Sequence, residues 1–264
     1  MNSNFQEYQS VIRGAINKNE EIRKNISTAI DKGIDNIFFV GCGGSLAVMF
    51  PARYILQLNS KIPCFALNAG EFNTLRPKIL SKKSLVILIS SSGSTPEIIE
   101  AARFTKSIGC TTIGISSRIE PKLAKEVSFS YNFQIKTVGY SEYKLIILYQ
   151  IIFYILSKLD NFSHYDEIVD SLKYLPDGLI EVSKQAEKGS IQFAKKYKDE
   201  NIFYTIGAGI CWGQAYSFAI CKLEEMQWLT SQPIEAGEYF HGPFEVIDEK
   251  STLLILKGED PSRH

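Results

Sequence analysis

Leu85-Val86-Ile87-Leu88-Ile89-Ser90-Ser91-Ser92-Gly93-Ser94-Thr95-Pro96 is the stretch that decides the fold. Five large apolar residues in succession, with no polar alternation, describe a strand covered on both faces. The chain then turns abruptly small and polar. Thr95 stands where a helix N-cap belongs, Pro96 at the first helical position, and Gly109 just past a helix over 96–108. A doubly buried strand, a short polar loop and a helix make one unit of a parallel α/β sheet.

The same pattern recurs on both sides. Ile37–Val40 is a short apolar run that breaks into Gly41-Cys42-Gly43-Gly44-Ser45, with a helix to about residue 58. Further strands are expected at 63–67, 111–116 and 129–133, and helical spacing through Leu80. Ahead of them, residues 5–32 carry apolar positions at helical spacing, with Gly33 as a stop. Leu145–Leu156, LIILYQIIFYIL, is too short to span a bilayer, which needs about 20 residues. It is read as a buried helix of a core or a subunit interface. Residues 160–200 are helical and more polar. The pattern restarts at Ile202–Ile206, which breaks into Gly207-Ala208-Gly209, with a helix to about Leu229 and a strand at 252–256.

These elements predict an α/β protein in two halves. The expected organisation is an N-terminal helix over 1–34, a first half over 35–160, and linker helices with a second half over 161–264. The second half opens late and holds fewer elements than the first. It is therefore expected to be truncated, ending in mid-domain, and to be less stable than a longer version.

Lys+Arg and Asp+Glu balance at 29 each, so no basic field recruits nucleic acid or an anionic membrane. Five scattered cysteines show no zinc spacing and fit a reducing cytoplasm. MNSNFQEYQS lacks the basic and apolar regions of a signal peptide.

Two loops are placed to meet a ligand, because open parallel sheets bind at the carboxyl ends of their strands. The loop Ser90–Thr95 offers five hydroxyls at a helix start, where an anion is favoured. It reads as a phosphate cradle for a small molecule, or as a Ser-rich turn with a capping Thr. It lacks the Lys of a nucleotide P-loop. The loop Gly41–Ser45 is not GxGxxG, and its glycines let a ligand approach the backbone. A third segment, Lys222–Pro243 (KLEEMQWLTSQPIEAGEYFHGP), holds acid–base groups. It contains one of the three histidines, His241, sixteen residues after Glu225. A carboxylate can remove a proton beside a carbonyl, and an imidazole can open a sugar ring. The plain alternative is a solvated Glu pair and a structural His before a turn.

Strand-CGGS-helix, strand-SxSGxT-helix, and KxxE followed by HGP together resemble the sugar isomerase (SIS) domain family, over nearly all of the chain after residue 30. The resemblance implies two flavodoxin-like subdomains with parallel sheets flanked by helices, and a homodimer or higher oligomer with sites near the interface. It implies that Cys42, Gly43, Gly44 and Ser45 lie against a sugar phosphate and that Ser90, Ser91, Ser92 and Thr95 grip the phosphate. It places Lys222 and Glu225 on one helix face, with Glu225 rather than Glu224 as base, and His241 as the family histidine, often contributed across the dimer. Asn2 stands where the related glucosamine-6-phosphate synthases carry a Cys nucleophile, and Phe240 where they carry Lys. The string EYFHGPFEVID, with KGEDPSR downstream, looks more like the fructosamine-6-phosphate deglycases.

The function implied is cleavage of a phosphorylated Amadori product, such as fructoselysine 6-phosphate, to glucose 6-phosphate and a free amine. That chemistry needs no metal, nicotinamide or pyridoxal. An aldose–ketose or aminosugar-phosphate isomerase, and a non-enzymatic sugar-phosphate sensor, are the alternatives. Trp228, Tyr239 and Phe240 are read either as an amine pocket or as core.

Overall fold

The computed structural model describes residues 5–135 and 140–259. Asn2 and the end of the KGEDPSR string, from Asp260, lie outside the described residues. The chain forms two compact units, Met1–Gly178 and Leu179–His264.

The first unit begins with α1 (Phe5–Ile16) and α2 (Asn19–Lys32). β1 (Asn36–Gly41), β2 (Cys64–Asn68), β3 (Ser84–Ile89), β4 (Thr111–Ser116) and β5 (Phe129–Asn132) follow. Between them run α3 (Gly44–Ala47), α4 (Phe50–Asn59), α5 (Ala69–Leu75) and α6 (Pro96–Ile108), and after them α7 (Glu142–Leu159) and α8 (Tyr165–Leu172). The five strands are all parallel, in the order β2-β1-β3-β4-β5. This is the flavodoxin-like order, whose topological switch point lies between β1 and β3.

Alternation along the strands divides the core into two layers. Phe38, Val40, Val86 and Leu88 pack with Phe72 of α5 and Ile98, Ala101 and Ala102 of α6. Ile37, Phe39, Leu85, Ile87 and Ile89 point to the other face and are equally buried. On the other side α7 is the hub against which α1, α2 and α4 pack. Ile146, Ile147, Ile151, Ile152 and Ile155 of α7 are buried, as are Val11, Ile12 and Ala15 of α1 and Ile22, Ile26 and Ala29 of α2. The apolar run at 145–156 thus belongs to the core of this unit. Among the described residues no helix is long and apolar enough to cross a membrane.

The second unit contains most of α9 (Leu175–Lys196), then β6 (Ile202–Gly207), β7 (Thr230–Glu235) and β8 (Thr252–Leu256). Its described sheet is parallel, in the order β7-β6-β8. One helix, α10, runs from Trp212 to Gln227 and changes its winding on the way. It is α over Trp212–Ser217, π over Phe218–Glu224 and α again over Glu225–Gln227.

Three expectations change. The single helix over 5–32 is two helices, because the polar run Asn17-Lys18-Asn19 has no apolar contact to gain, and the amide of Lys18 tightens onto the carbonyl of Ala15 at 3.2 Å. The helical spacing through Leu80 stops at Leu75, where Arg76 turns left-handed (φ +41°) ahead of Pro77. β7 was not anticipated: TSQPIE is polar and holds a proline, which a strand accepts at the edge of a sheet.

Candidate active site

The first unit places both candidate loops at its switch point. β1 and β3 are neighbours, with Val40 opposite Leu88, so the loops after them leave the sheet side by side. At the end of β1, a side chain at Gly41 would lie 2.8 Å from the amide nitrogen of Leu46, so the return of the chain requires glycine there. Two residues on, Gly43 has φ +51°. Cys42, Gly43, Gly44 and Ser45 are half-buried and form a tight turn, with the Ser45 amide bonded to the Cys42 carbonyl at 3.0 Å. The second unit repeats the device. A side chain at Gly207 would lie 2.9 Å from the Cys211 carbonyl oxygen, and Gly209, again two residues on, has φ +56°. The weak sequence repeat is thus a repeat of backbone geometry.

The serine loop is organised by its own hydroxyls. Ser90 is buried at 2 % exposure; its Oγ accepts the Gly93 amide at 3.0 Å and lies 2.8 Å from Thr95 Oγ1. Ser92 Oγ accepts the Ser94 amide at 3.2 Å and the Ser94 hydroxyl at 3.2 Å. Ser91 and Ser92 are exposed and Thr95 is half-buried. Thr95 holds the N-cap position of α6, but its side chain makes no capping bond. Its hydroxyl is turned to Ser90 instead, so the helix start is left without the side-chain cap that the sequence led us to expect.

Lys144, which sequence reasoning passed over, comes to the same loop. It lies in the first turn of α7, is buried, and brings Nζ to 2.6 Å from Ser91 Oγ. Nothing in the sequence joins two residues so far apart. The one available signal was a lysine at the start of an otherwise apolar helix.

In the second unit Lys222, Glu225 and His241 are accounted for separately. The π winding widens the turn, with bonds from i to i+5. Lys222 lies in this segment, with Nζ 3.8 Å from Sδ of Met226. Glu225 opens the final α turn and is exposed. Glu224 is occupied: its Oε1 accepts the Ser231 amide at 3.3 Å and so ties α10 to β7. His241 is exposed on a turn, its amide bonded to the Glu238 carbonyl at 3.0 Å. Trp228 is 91 % exposed and Phe240 is also exposed, so neither is core. Trp228 is left-handed (φ +59°), an unusual conformation for a large side chain. Of the thiols, Cys64 and Cys110 are buried, and burial pushes each up to about 11, so neither is a nucleophile at neutral pH.

The SIS domain family model matches residues 32–149. The fructosamine deglycase FrlB of Bacillus subtilis (strain 168) is 40% identical over 248 residues, which is 93% of this chain and 75% of the relative. The chain belongs to the SIS domain family. The fructoselysine 6-phosphate deglycase of Escherichia coli (strain K12) is 27% identical over 90% of this chain and 70% of its own length. A crystal structure from Bacillus subtilis, described as a candidate phosphosugar isomerase, superposes with a TM-score of 0.84 at 39% identity. It covers 91% of this chain and 75% of that one. The SIS segment runs from the end of α2 into α7, and so holds both loops of the switch point and Lys144.

Proposed function

We propose that this SIS protein cleaves a 6-phosphorylated Amadori product, such as fructoselysine 6-phosphate, to glucose 6-phosphate and the free amine. The observation that carries this reading is the 40% identity with a fructosamine deglycase, sustained over 93% of the chain. In this reading the sugar phosphate lies against the Cys42–Ser45 turn, and the phosphate is held by the loop Ser90–Thr95. Helix N-termini and directed hydroxyls favour an anion. Exposed Ser91 and Ser92 and half-buried Thr95 support that role, and buried Ser90 supports it indirectly by bracing the loop.

The acid–base steps are assigned to Glu225 and His241. His241 assists ring opening to the 2-ketone. Glu225 takes a proton from C1; the C1–H electrons form a C1–C2 double bond and the carbonyl oxygen is protonated, giving an enaminol. Protonation at C2 moves the unsaturation to C1–N as a Schiff base. Water adds at C1 and the amine leaves with a proton. The carbanion is stabilised by the substrate's own carbonyl. Glu224 already holds an amide of β7, which favours Glu225 as the mobile base.

The chain is to be incubated with fructoselysine 6-phosphate, glucosamine 6-phosphate and fructose 6-phosphate in turn. Release of lysine and glucose 6-phosphate from the first is expected. Interconversion of the other two with no lysine released would replace the deglycase by an isomerase. Ser92→Ala should weaken glucose 6-phosphate binding by about 1.5–3 kcal/mol, the worth of a hydrogen bond to a charged group. Calorimetry giving an unchanged Kd would place the phosphate elsewhere.

A further inference from the structure

The serine loop has no cation in its own sequence, yet the fold delivers one from beneath. Lys144 is only 5 % exposed, so its ammonium is held inside the protein beside the loop rather than in water. Its contact with Ser91 has one possible polarity. An ammonium has three donors and no acceptor, so at 2.6 Å Ser91 Oγ accepts. A hydroxyl carries a single hydrogen. With Lys144 on one lone pair, the Ser91 hydrogen is turned away from Lys144, out of the loop, on a residue that is exposed.

The backbone keeps this arrangement in place. The Ser91 carbonyl accepts the Ser117 amide at 3.0 Å, and Ser117 Oγ lies 2.7 Å from the hydroxyl of Tyr143, the residue beside Lys144. Tyr143 is fully buried, and burial pushes its phenol above the usual range, so it stays protonated. The Lys144 ammonium lies 5.7 Å from the centre of the Tyr143 ring, within reach of a cation–π contact. The first turn of α7 is therefore fastened to the loop at Ser91 and, through Ser117, at Tyr143.

We propose that Lys144 is a positioning residue for the sugar-phosphate cradle. It fixes the Ser91 hydroxyl as an outward donor and sets the cradle's positive charge behind it. Within the protein such a charge is screened less than in water, so it acts on an anion at the loop. This deepens the reading of the serine loop as a phosphate site and rests on it.

The test compares the native chain with Lys144→Met, Lys144→Arg, Ser91→Ala and the double variant Lys144→Met/Ser91→Ala. Glucose 6-phosphate is titrated by calorimetry at two salt concentrations, and fructoselysine 6-phosphate turnover is followed. Lys144→Met is expected to raise Kd and KM about tenfold or more, with kcat within about twofold, and to leave the salt dependence of binding little changed, because a buried charge is weakly screened. Ser91→Ala should also weaken binding, and the double variant should bind no worse than Lys144→Met, because the two act as one unit. Lys144→Arg should recover part of the loss, which a purely space-filling role would not produce. If Lys144→Met fails to fold, Lys144→Arg and Ser91→Ala keep the proposal open to refutation, since native-like affinity in Ser91→Ala would still overturn it. Native-like affinity in Ser91→Ala, or losses that simply add, would overturn the role of Lys144 while leaving the phosphate site standing. A native chain that binds no glucose 6-phosphate would overturn the phosphate site and this proposal together.

Discussion

Glu225→Gln is expected to lower turnover of fructoselysine 6-phosphate about 10²–10⁴-fold, the span typical of a positioned acid–base group. The amide keeps the size and shape of the carboxylate but cannot take a proton from C1. Glu225 is exposed in the last turn of α10. The exchange therefore disturbs no packing, and glucose 6-phosphate affinity should stay within about threefold, since the lost interaction belongs to the transition state. Glu224→Gln is the control. Its amide oxygen can still accept the Ser231 amide, so α10 stays tied to β7 and turnover should fall little. Single-turnover assays on both variants decide the point. A dead Glu224→Gln beside an active Glu225→Gln would move the base by one residue and reverse the assignment.

Gly93→Ala should remove about 2–5 kcal/mol of stability: roughly 1–2 for a left-handed L-residue and roughly 1–3 for overpacking. Gly93 has φ +63°, and a Cβ built there falls 2.1 Å from Cβ of Pro121. Neither partner has an easy retreat. The proline ring is closed on its own backbone, and the Gly93 carbonyl accepts the Leu123 amide at 2.9 Å, two residues beyond that proline. Relief must come from moving the serine loop, so phosphosugar binding should be lost along with stability. Urea unfolding followed by far-UV circular dichroism measures the first effect. A midpoint equal to the native value would mean that loop and proline part freely.

What was legible in the sequence divides by interaction range. β1, β3 and β4 are continuous apolar runs, and their burial on both faces follows from composition alone. α6 was bracketed by Pro96 and Gly109, whose backbone preferences act locally. β7 was not legible, because Thr230–Glu235 owes its strand conformation to pairing with β6 rather than to its own residues. The π winding of Phe218–Glu224 has no pattern in the residues that adopt it. In the candidate site, the five hydroxyls could be read directly, but their division of labour could not. Ser90 and Thr95 face each other, Ser92 serves Ser94, and Ser91 meets Lys144 from another part of the chain. The choice of Glu225 over Glu224 came from family resemblance. The Glu224–Ser231 bond supplies a physical reason that depends on β7, the strand the sequence did not disclose.

The packing of α1 and α2 on α7 has a consequence for biosynthesis. The first two helices leave the ribosome with their apolar stripes complete, yet the surface they cover is α7, encoded more than a hundred residues later. At roughly 5–20 residues per second, α1 and α2 wait on the order of ten seconds before that surface emerges. During that interval the nascent chain displays Val11, Ile12, Ile22 and Ile26 to solvent or to a chaperone, and the growing β1–β4 segment has one face without its cover. Slower translation before Glu142 would lengthen the exposure, whereas slower translation after Leu159 would give the finished unit time to close.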